Sequence, residues 1–131
     1  NICATFSAIP WYVADDSTND KAWITFGSAK VIGSVSTSCT GSVFYSSLTG
    51  IPPINWPFDV AVRSGADKVV VTMSDNAKVG IYNISANTWT YDDWNTECSG
   101  CAGFGIDAIY STGDYYAALR GSTSKIVKGT S

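Results

Sequence analysis

The clearest pattern along the chain is a nearly continuous apolar run, DKVVVTMS, at residues 67–74. A strand of this composition is expected to be buried on both faces, unlike the alternating pattern of a half-exposed strand. The turn-forming segment DNA separates it from a second β-type run, KVGIYNI, so the two runs predict a β-hairpin. A strand buried on both faces needs cover on each side, from a second sheet or from helices.

Weaker β patterns lie on both sides of this hairpin. Residues 21–35 contain two short strand-like runs, and residues 104–113, FGIDAIYSTG, contain another. The segment SKIVKG at residues 124–129 predicts an edge strand, because its lysines discourage pairing with another edge. Residues 2–13 are apolar and interrupted by Pro10, which predicts a strand or an extended arm.

One segment has the signals of a short helix. Thr90 stands where an N-cap would, and Asp93 follows three residues later, close to the capping-box spacing. Beyond them Trp94, Cys98 and Cys101 recur on one helical face. This pattern predicts a helix whose inner face carries a tryptophan and two cysteines, and it assigns Trp94 to the core.

Two further segments are candidates for short helices. DYYAALRG begins with a capping Asp114 and ends at Gly121. Residues 42–50 are ambiguous, because their ends favour a capped helix whereas their aromatic residues favour a strand. Together the patterns predict a single domain over residues 1–131 of the α+β class, with a mainly antiparallel sheet covered by short helices. An all-β barrel or sandwich is the alternative.

Composition and charge exclude several classes of function. The chain has 131 residues, of which 45% are hydrophobic and 15% charged, and its net charge is −3. No two basic residues are adjacent, so the chain lacks the basic patch that a nucleic-acid partner or an anionic membrane surface requires. No apolar run approaches the roughly 20 residues of a membrane-spanning helix, and we expect no membrane insertion.

Three features indicate a mature secreted protein. The chain begins at Asn1 without a hydrophobic leader, as after removal of a signal peptide. Its four cysteines, an even number, fit an oxidising compartment. Asn83, Ile84 and Ser85 form a sequon, so Asn83 is a candidate glycosylation site.

The cysteines are predicted to be structural. A redox C-x-x-C normally opens a helix, whereas Cys98 and Cys101 fall late in the predicted one. The chain has no histidine, and Cys3 and Cys39 do not form a second C-x-x-C, so we expect no metal and no cofactor. Three disulfide pairings are possible. We favour Cys98 and Cys101 each bonded to one of Cys3 and Cys39, in long loops that would each stabilise by roughly 3–5 kcal/mol.

A cluster of aromatic and polar residues is the first candidate ligand site. An aromatic ring can pack on the apolar C–H face of a pyranose, while carboxylate and amide groups hydrogen-bond its hydroxyls. The chain has five tryptophans and seven tyrosines, many for its length. The cluster consists of Trp89, Tyr91, Asp92, Asp93 and Asn95. Trp89 and Tyr91 would share one face if the segment is extended.

A second candidate site is the proline-stiffened loop GIPPINWPFD. It places Trp56 between Asn55 and Asp59, with Trp56 expected in extended geometry before Pro57. Single-site sugar affinities should lie around micromolar to millimolar, so useful avidity requires a dimer or larger oligomer. The predicted function is a secreted, non-catalytic lectin that binds cell-surface glycans or glycoproteins and forms a homodimer.

Two other functions remain possible from the sequence. The missing histidine removes the usual general base of serine and cysteine hydrolases, but not a carboxylate-based glycosidase. Its candidate carboxyls would be Asp92, Asp93, Glu97 and Asp107. The third possibility is a protein-binding effector or inhibitor that uses the loop GIPPINWPFD, whose prolines lower the ordering cost on binding.

The chain as a whole resembles the small secreted glycan-binding proteins of mushrooms such as the shaggy mane. The resemblance lies in the length, the start NICATFSAIPW, the four cysteines and the segment TWTYDDWNTECSGC. It implies an α-β-α sandwich and a dimer whose sheets join into one continuous sheet. It also implies lectin activity toward N-acetylgalactosamine-containing glycans, including fucosylated ones, and toxicity to some animal cells.

Overall fold

The computed structural model describes residues 5–36, 38–39, 44–47, 56–63, 65, 67–109 and 112–130. Within these ranges the chain forms eleven β-strands and no α-helix. Nor does this part of the chain contain a helix long and apolar enough to cross a bilayer. The strands are β1 (Val13–Asp16), β2 (Lys21–Phe26), β3 (Val31–Ser36), β4 (Phe44–Ser47), β5 (Pro57–Val62), β6 (Lys68–Met73), β7 (Lys78–Asn83), β8 (Thr88–Asp93), β9 (Ala102–Ala108), β10 (Asp114–Arg120) and β11 (Lys125–Thr130).

The strands form three antiparallel sheets in which neighbours in sequence are neighbours in space. The first sheet has the order β1-β2-β3-β4, the second β5-β6-β7-β8 and the third β9-β10-β11. The first strands of the three sheets, β1, β5 and β9, contact one another in turn. The sheets therefore stack face to face, with their first strands on one side of the stack.

Two core layers fill the spaces between the sheets. The layer between the first and second sheets contains Trp23, Ile32, Val60, Val69, Val71, Met73 and Tyr82. The layer between the second and third sheets includes Val70, Val79, Ile81, Tyr115, Ala117, Leu119 and the two cysteines Cys98 and Cys101. Strand β6 supplies residues to both layers, which confirms the prediction of a central strand buried on both faces.

Most of the strand predictions are confirmed. The hairpin of β6 and β7 and the strand pair β2–β3 lie where the sequence placed them, whereas β9 (Ala102–Ala108) covers only the first half of the predicted segment 104–113. Strand β11 is an edge strand of the third sheet, as predicted from its lysines. The apolar N-terminal segment is partly an extended arm, whose Phe6 ring packs on Phe26 at a centroid distance of 5.0 Å.

The α+β class is wrong, and with it the α-β-α sandwich that the resemblance implied. The cover on both faces of the central strand comes from other sheets rather than from helices. The segment beginning at Thr88 pairs with β7 from Asn83 to Lys78. DYYAALRG forms β10, in which Tyr115, Ala117 and Leu119 alternate as buried residues. The alternative, an all-β barrel or sandwich, matches the all-β character of the described residues, but their strands form three stacked sheets.

The other segments that were predicted as helices form turns or strands. After β8, the amide of Cys98 donates to the carbonyl of Trp94 at 2.9 Å, and that of Cys101 to Cys98 at 3.2 Å. These bonds make a turn rather than a helix. The ambiguous region at residues 42–50 contains β4, while Ser42 and Gly50 lie outside the described residues.

The predicted long-loop disulfides are also wrong. Cys98 is bonded to Cys101, because the turn after β8 brings their Cα atoms to 5.5 Å, within the range that a disulfide spans. Cys39 is disulfide-bonded as well. Cys3 lies outside the described residues.

Candidate functional site

An open cleft lies where the end of β8 faces the edge strand β11. Its volume is about 480 Å³. The cleft lies between the second and the third sheet. The lining residues are Asp92, Asp93, Trp94, Lys128, Gly129 and Thr130.

Strand geometry explains how this cleft forms. Successive side chains of a strand point to opposite faces, so the side chains of Asp92 and Asp93 leave opposite faces of the second sheet at the end of β8. The chain then turns, and the amide of Trp94 donates to the carbonyl of Ala77 at 2.8 Å. On the other wall, Gly129 pairs with Tyr115 across the third sheet, and its missing side chain leaves room for the tyrosine ring.

A buried tyrosine fixes one carboxylate of the cleft. The Tyr115 hydroxyl donates to Oδ2 of Asp92, and Nε1 of Trp94 donates to the same hydroxyl at 3.2 Å. Burial, followed by the hydrogen bond to Asp92, raises the pKa of Tyr115 above its ordinary value. The phenol therefore stays protonated at neutral pH and holds Asp92 beside the Trp94 indole.

The second carboxylate is held in its ionised form. The backbone amide of Asn95 donates to Asp93 at 3.0 Å and lowers the pKa of that carboxyl. The Asn95 side chain and Lys78, whose Nζ is 3.5 Å away, lower the pKa further. The opposite wall carries Lys128, whose pKa is raised by its hydrogen bond to Asp114 at 2.8 Å. The cleft thus presents negatively charged acceptors with one ammonium donor.

The raised pKa of Tyr115 predicts a loss of stability in alkali. A group whose pKa is raised in the folded state stabilises the fold below its unfolded pKa, here about 10, and loses that contribution as the pH rises. In denaturant unfolding between pH 8 and 11.5, the free energy of unfolding should therefore fall more steeply with pH for the wild type than for Tyr115→Phe. Tyr91→Phe, at an exposed position, serves as the control and should follow the wild type. Parallel curves for the wild type and Tyr115→Phe would contradict this description of the cleft.

The structure brings together only part of the first predicted ligand cluster. Asp92 and Asp93 line the cleft, and Asn95 orients Asp93. Trp89 is half-buried against Tyr82, with ring centroids 5.0 Å apart, and lies farther back along the strand. Tyr91, on the same face as Trp89, is 40% exposed and has Nζ of Lys78 at 4.6 Å from its ring centroid.

Trp56 lies at a different place, in a row of aromatic side chains on, or just before, the first strands of the sheets. The Phe58 ring contacts those of Tyr12 and Phe104, both at 4.9 Å, and Trp11 contacts Trp56 at 6.0 Å. Trp56 is 43% exposed. Its φ of 65° contradicts the predicted extended geometry and is uncommon for a residue with a side chain.

Asp59 of the second predicted site has a structural contact. Asp59 links the first strands of two sheets, since its Oδ2 accepts from the amide of Ile106 at 3.0 Å. Asn55 lies outside the described residues. At Asn83 the side-chain oxygen accepts from Oγ of Ser85 at 3.0 Å, and its glycosylation stays a prediction.

Five residues of the cleft region were not predicted as ligand residues: Trp94, Tyr115, Lys128, Gly129 and Thr130. Trp94 was assigned to the core, yet it is only partly buried and lines the cleft. Lys128, Gly129 and Tyr115 join the site through long-range pairing of the third sheet. Local patterning carries no signal for such contacts. If residues 114–120 are interpreted as a strand, Tyr115 shares a face with Ala117 and Leu119, which could have indicated from the sequence that it faces inward.

The four carboxyl groups considered for catalysis do not all lie in one cleft. Asp92 and Asp93 share the cleft, whereas Asp107 is exposed on the third sheet and Glu97 lines a separate hollow beside the disulfide. The lowered pKa of Asp93 is the opposite of what a general acid needs. Among the described residues, no group of three or more acidic or cysteine side chains could hold a metal ion.

Comparison with known proteins finds likeness in structure only. No protein-family model matches the chain, and no curated protein matches it. A structure of a nidogen/laminin complex matches 95% of this chain and 45% of that chain, with a TM-score of 0.77 and 16% identity. The hydrazine synthase of Kuenenia stuttgartiensis matches 97% of this chain and 36% of that chain, with a TM-score of 0.72 and 13% identity. The virginiamycin B lyase of Staphylococcus aureus matches 92% of this chain and 41% of that chain, with a TM-score of 0.67 and 14% identity.

These structures are β-propeller-like proteins, and at such low identities the likeness shows the fold alone. The three stacked antiparallel sheets described above correspond to successive blades of a propeller. The chain spans less than half the length of each of the three chains it matches.

Proposed function

We propose that the cleft between β8 and β11 binds neutral glycans and that the protein is a lectin without catalytic activity. The observation that carries this proposal is the Asp92 carboxylate, which Tyr115 holds in place beside the Trp94 indole. A fixed acceptor next to an aromatic ring matches the two sides of a pyranose. The hydroxyls bond to the carboxylate, and the C–H face packs on the ring.

The hydrogen-bonding groups of the cleft are held in place before a ligand arrives. Asn95 and Lys78 orient Asp93, and Asp114 orients Lys128. Side chains that are already ordered lose little conformational entropy on binding, so more of the interaction energy remains as affinity. Two such charge-assisted hydrogen bonds contribute about 1.5–3 kcal/mol each before other costs.

The charge of the cleft favours neutral sugars over anionic ones. Asp92 and Asp93 both line the cleft, and Lys128, which also lines it, is already paired with Asp114. A sialylated or sulfated glycan would bring another negative charge close to them, which costs free energy at short range. We therefore propose uncharged oligosaccharides of cell-surface glycoproteins as the ligands.

The disulfide between Cys98 and Cys101 supports a secreted location, because such bonds persist in oxidising compartments. Glycans displayed on cell surfaces are accessible there. The lowered pKa of Asp93 supports binding rather than hydrolysis, since a glycosidase needs a carboxyl that stays protonated.

Binding to a glycan array tests this proposal. Asp92→Asn keeps the shape of the side chain but removes its charge, and we expect the affinity for the selected glycan to fall about 10- to 100-fold. Asp15→Asn, an exposed aspartate on β1, is the matched control and should bind like the wild type. Mass spectrometry of the bound glycan should show no cleavage.

Three results would contradict the proposal. A blank array at high protein density would remove the lectin function. Unchanged affinity of Asp92→Asn would place any glycan site outside the cleft. Release of shortened glycan would show that the protein is an enzyme.

A further inference from the structure

The turn between β8 and β9 contains a disulfide that does not line the cleft. Cys98 and Cys101 are bonded to each other across only two intervening residues. In the predicted helix this C-x-x-C pair fell near the negative end of the dipole, where a thiolate is disfavoured. The chain forms a turn there instead, so that obstacle to redox chemistry is absent.

A small hollow leads from solvent to this disulfide. Its volume is about 140 Å³, and both cysteines line it. Cys98 and Cys101 are themselves buried, whereas the other lining residues are exposed: Glu97, Ser99, Ser122, Thr123 and Lys125. The hollow has room for several water molecules, and an attacking thiol group needs no more space than that. The disulfide is therefore accessible from solvent through the hollow.

The turn has hydrogen bonds of its own that do not depend on the disulfide. The amide of Cys98 donates to the carbonyl of Trp94 at 2.9 Å, and the amide of Gly103 donates to the carbonyl of Asn76 at 3.0 Å. The stabilisation that a disulfide supplies grows with the length of the loop it closes, and this loop is short. Breaking the bond is therefore expected to leave the three sheets folded.

The backbone around the sulfur atoms also suits the reduced pair. The carbonyl oxygen of Thr123 lies 3.2 Å from Sγ of Cys98 and 3.6 Å from Sγ of Cys101. Once the bond is reduced, a thiol S–H can donate to that oxygen, so the buried thiols have an acceptor in place. The dithiol form therefore needs no rearrangement of the chain to satisfy its hydrogen bonds.

Two charged side chains of the hollow have opposite effects on a thiolate. The Lys125 ammonium donates to the backbone carbonyl of Glu97, the residue before Cys98. A neighbouring cation stabilises the thiolate that leaves when a disulfide is attacked. The Glu97 carboxylate lines the same hollow and disfavours that thiolate.

We propose that the Cys98–Cys101 bond is a reversible redox site, which a dithiol reduces while the sheets remain folded. A thiolate of the dithiol attacks one sulfur atom, the bond between the cysteines breaks, and the other cysteine leaves as a thiolate and takes up a proton. The second thiol of the reductant then attacks the mixed disulfide. Two electrons and two protons pass from the dithiol to the cysteines, and the reductant is released as its own disulfide. This site does not depend on the proposed glycan binding.

The rate of reduction by dithiothreitol tests the proposal. Alkylation of free thiols, followed by mass spectrometry of the peptide that contains Cys98 and Cys101, measures this rate. We expect it to be unchanged by urea below the unfolding transition, and the reduced protein should keep its β-type circular dichroism spectrum. Oxidised glutathione should then restore the bond. A rate that rises with urea in proportion to the unfolded fraction, loss of the β-type spectrum, or failure to reduce or to restore the bond would overturn the proposal.

Two charge-removing variants test whether the thiol attacks through the hollow. Lys125→Gln should slow the reduction about three- to tenfold, because the leaving thiolate loses its cation, and Glu97→Gln should speed it. Lys30→Gln, at an exposed lysine in the turn between β2 and β3, is the matched control and should react like the wild type. Equal rates for Lys125→Gln and Lys30→Gln, or a rate for Glu97→Gln no higher than that of the wild type, would overturn the assignment.

Discussion

Trp23→Ala is expected to lower the free energy of unfolding by about 3–5 kcal/mol. The side chain is 1% exposed in the layer between the first two sheets and contacts Tyr82 edge-on at 5.8 Å. Its Nε1 donates to the buried Asp16 at 2.9 Å. The substitution therefore opens a cavity between two sheets and also removes a hydrogen bond from a buried carboxylate.

Urea unfolding followed by circular dichroism measures this loss. Trp23→Phe keeps an aromatic ring but lacks the N–H donor. Its free energy of unfolding should therefore lie between that of the wild type and that of Trp23→Ala. Trp56→Ala serves as the control, because Trp56 is 43% exposed and its truncation should lower the free energy of unfolding by less than about 1 kcal/mol. Equal losses at Trp23 and Trp56 would contradict the stacking of the first two sheets.

Gly103→Ala is expected to destabilise the protein by about 1–3 kcal/mol or more, although it adds a single methyl group. Gly103 lies where β9 crosses the buried strand β6. A Cβ atom there would lie 2.8 Å from both the backbone N and the backbone O of Met73. Buried backbone cannot move aside as the end of a flexible side chain can, so the two sheets would have to separate.

Gly105→Ala on the same strand is the matched control for Gly103→Ala. A Cβ atom at Gly105 would have its nearest neighbour at 3.8 Å, which is ordinary contact. We expect a change within about 0.5 kcal/mol for Gly105→Ala. Similar losses for both variants would contradict the close approach of β9 to β6.

The sequence predicted the strands best where burial and local preference agree. The run of valines in β6 is apolar on both faces, and its position between two layers requires that composition. The short lysine-bearing β11 lies at an edge, where its charged side chains reach solvent. Such patterns depend on the environment of one strand alone, so a single segment is enough to recognise them.

The helix predictions failed because local capping signals were outweighed by long-range pairing. Thr90 and Asp93 fit a helix start, but β8 pairs with β7 over its whole length. In β10, Asp114 looks like a cap, while the alternation of Tyr115 with Tyr116 follows the period of a strand. Both segments are short, and in each the ladder with a neighbouring strand decides the conformation.

The candidate site was only partly predictable for the same reason. Asp92 and Asp93 were identified from residue type and clustering, and both line the cleft. Trp94 was assigned to the core because a helix would have placed it on the cysteine face. Lys128 reaches the cleft only because β11 pairs with β10, a contact that no local pattern encodes.

The central claim, that glycans bind in the cleft between β8 and β11, is tested most directly by an NMR titration of the ¹⁵N-labelled protein with the glycan selected on the array. The five tryptophan indole N–H signals report on separate parts of the molecule. We predict that the Trp94 indole signal and the backbone amides of Asp93 and Gly129 shift on binding, while the Trp23 and Trp56 indole signals do not. Shifts confined to Trp56 and the aromatic row, with the Trp94 signal unchanged, would contradict the account.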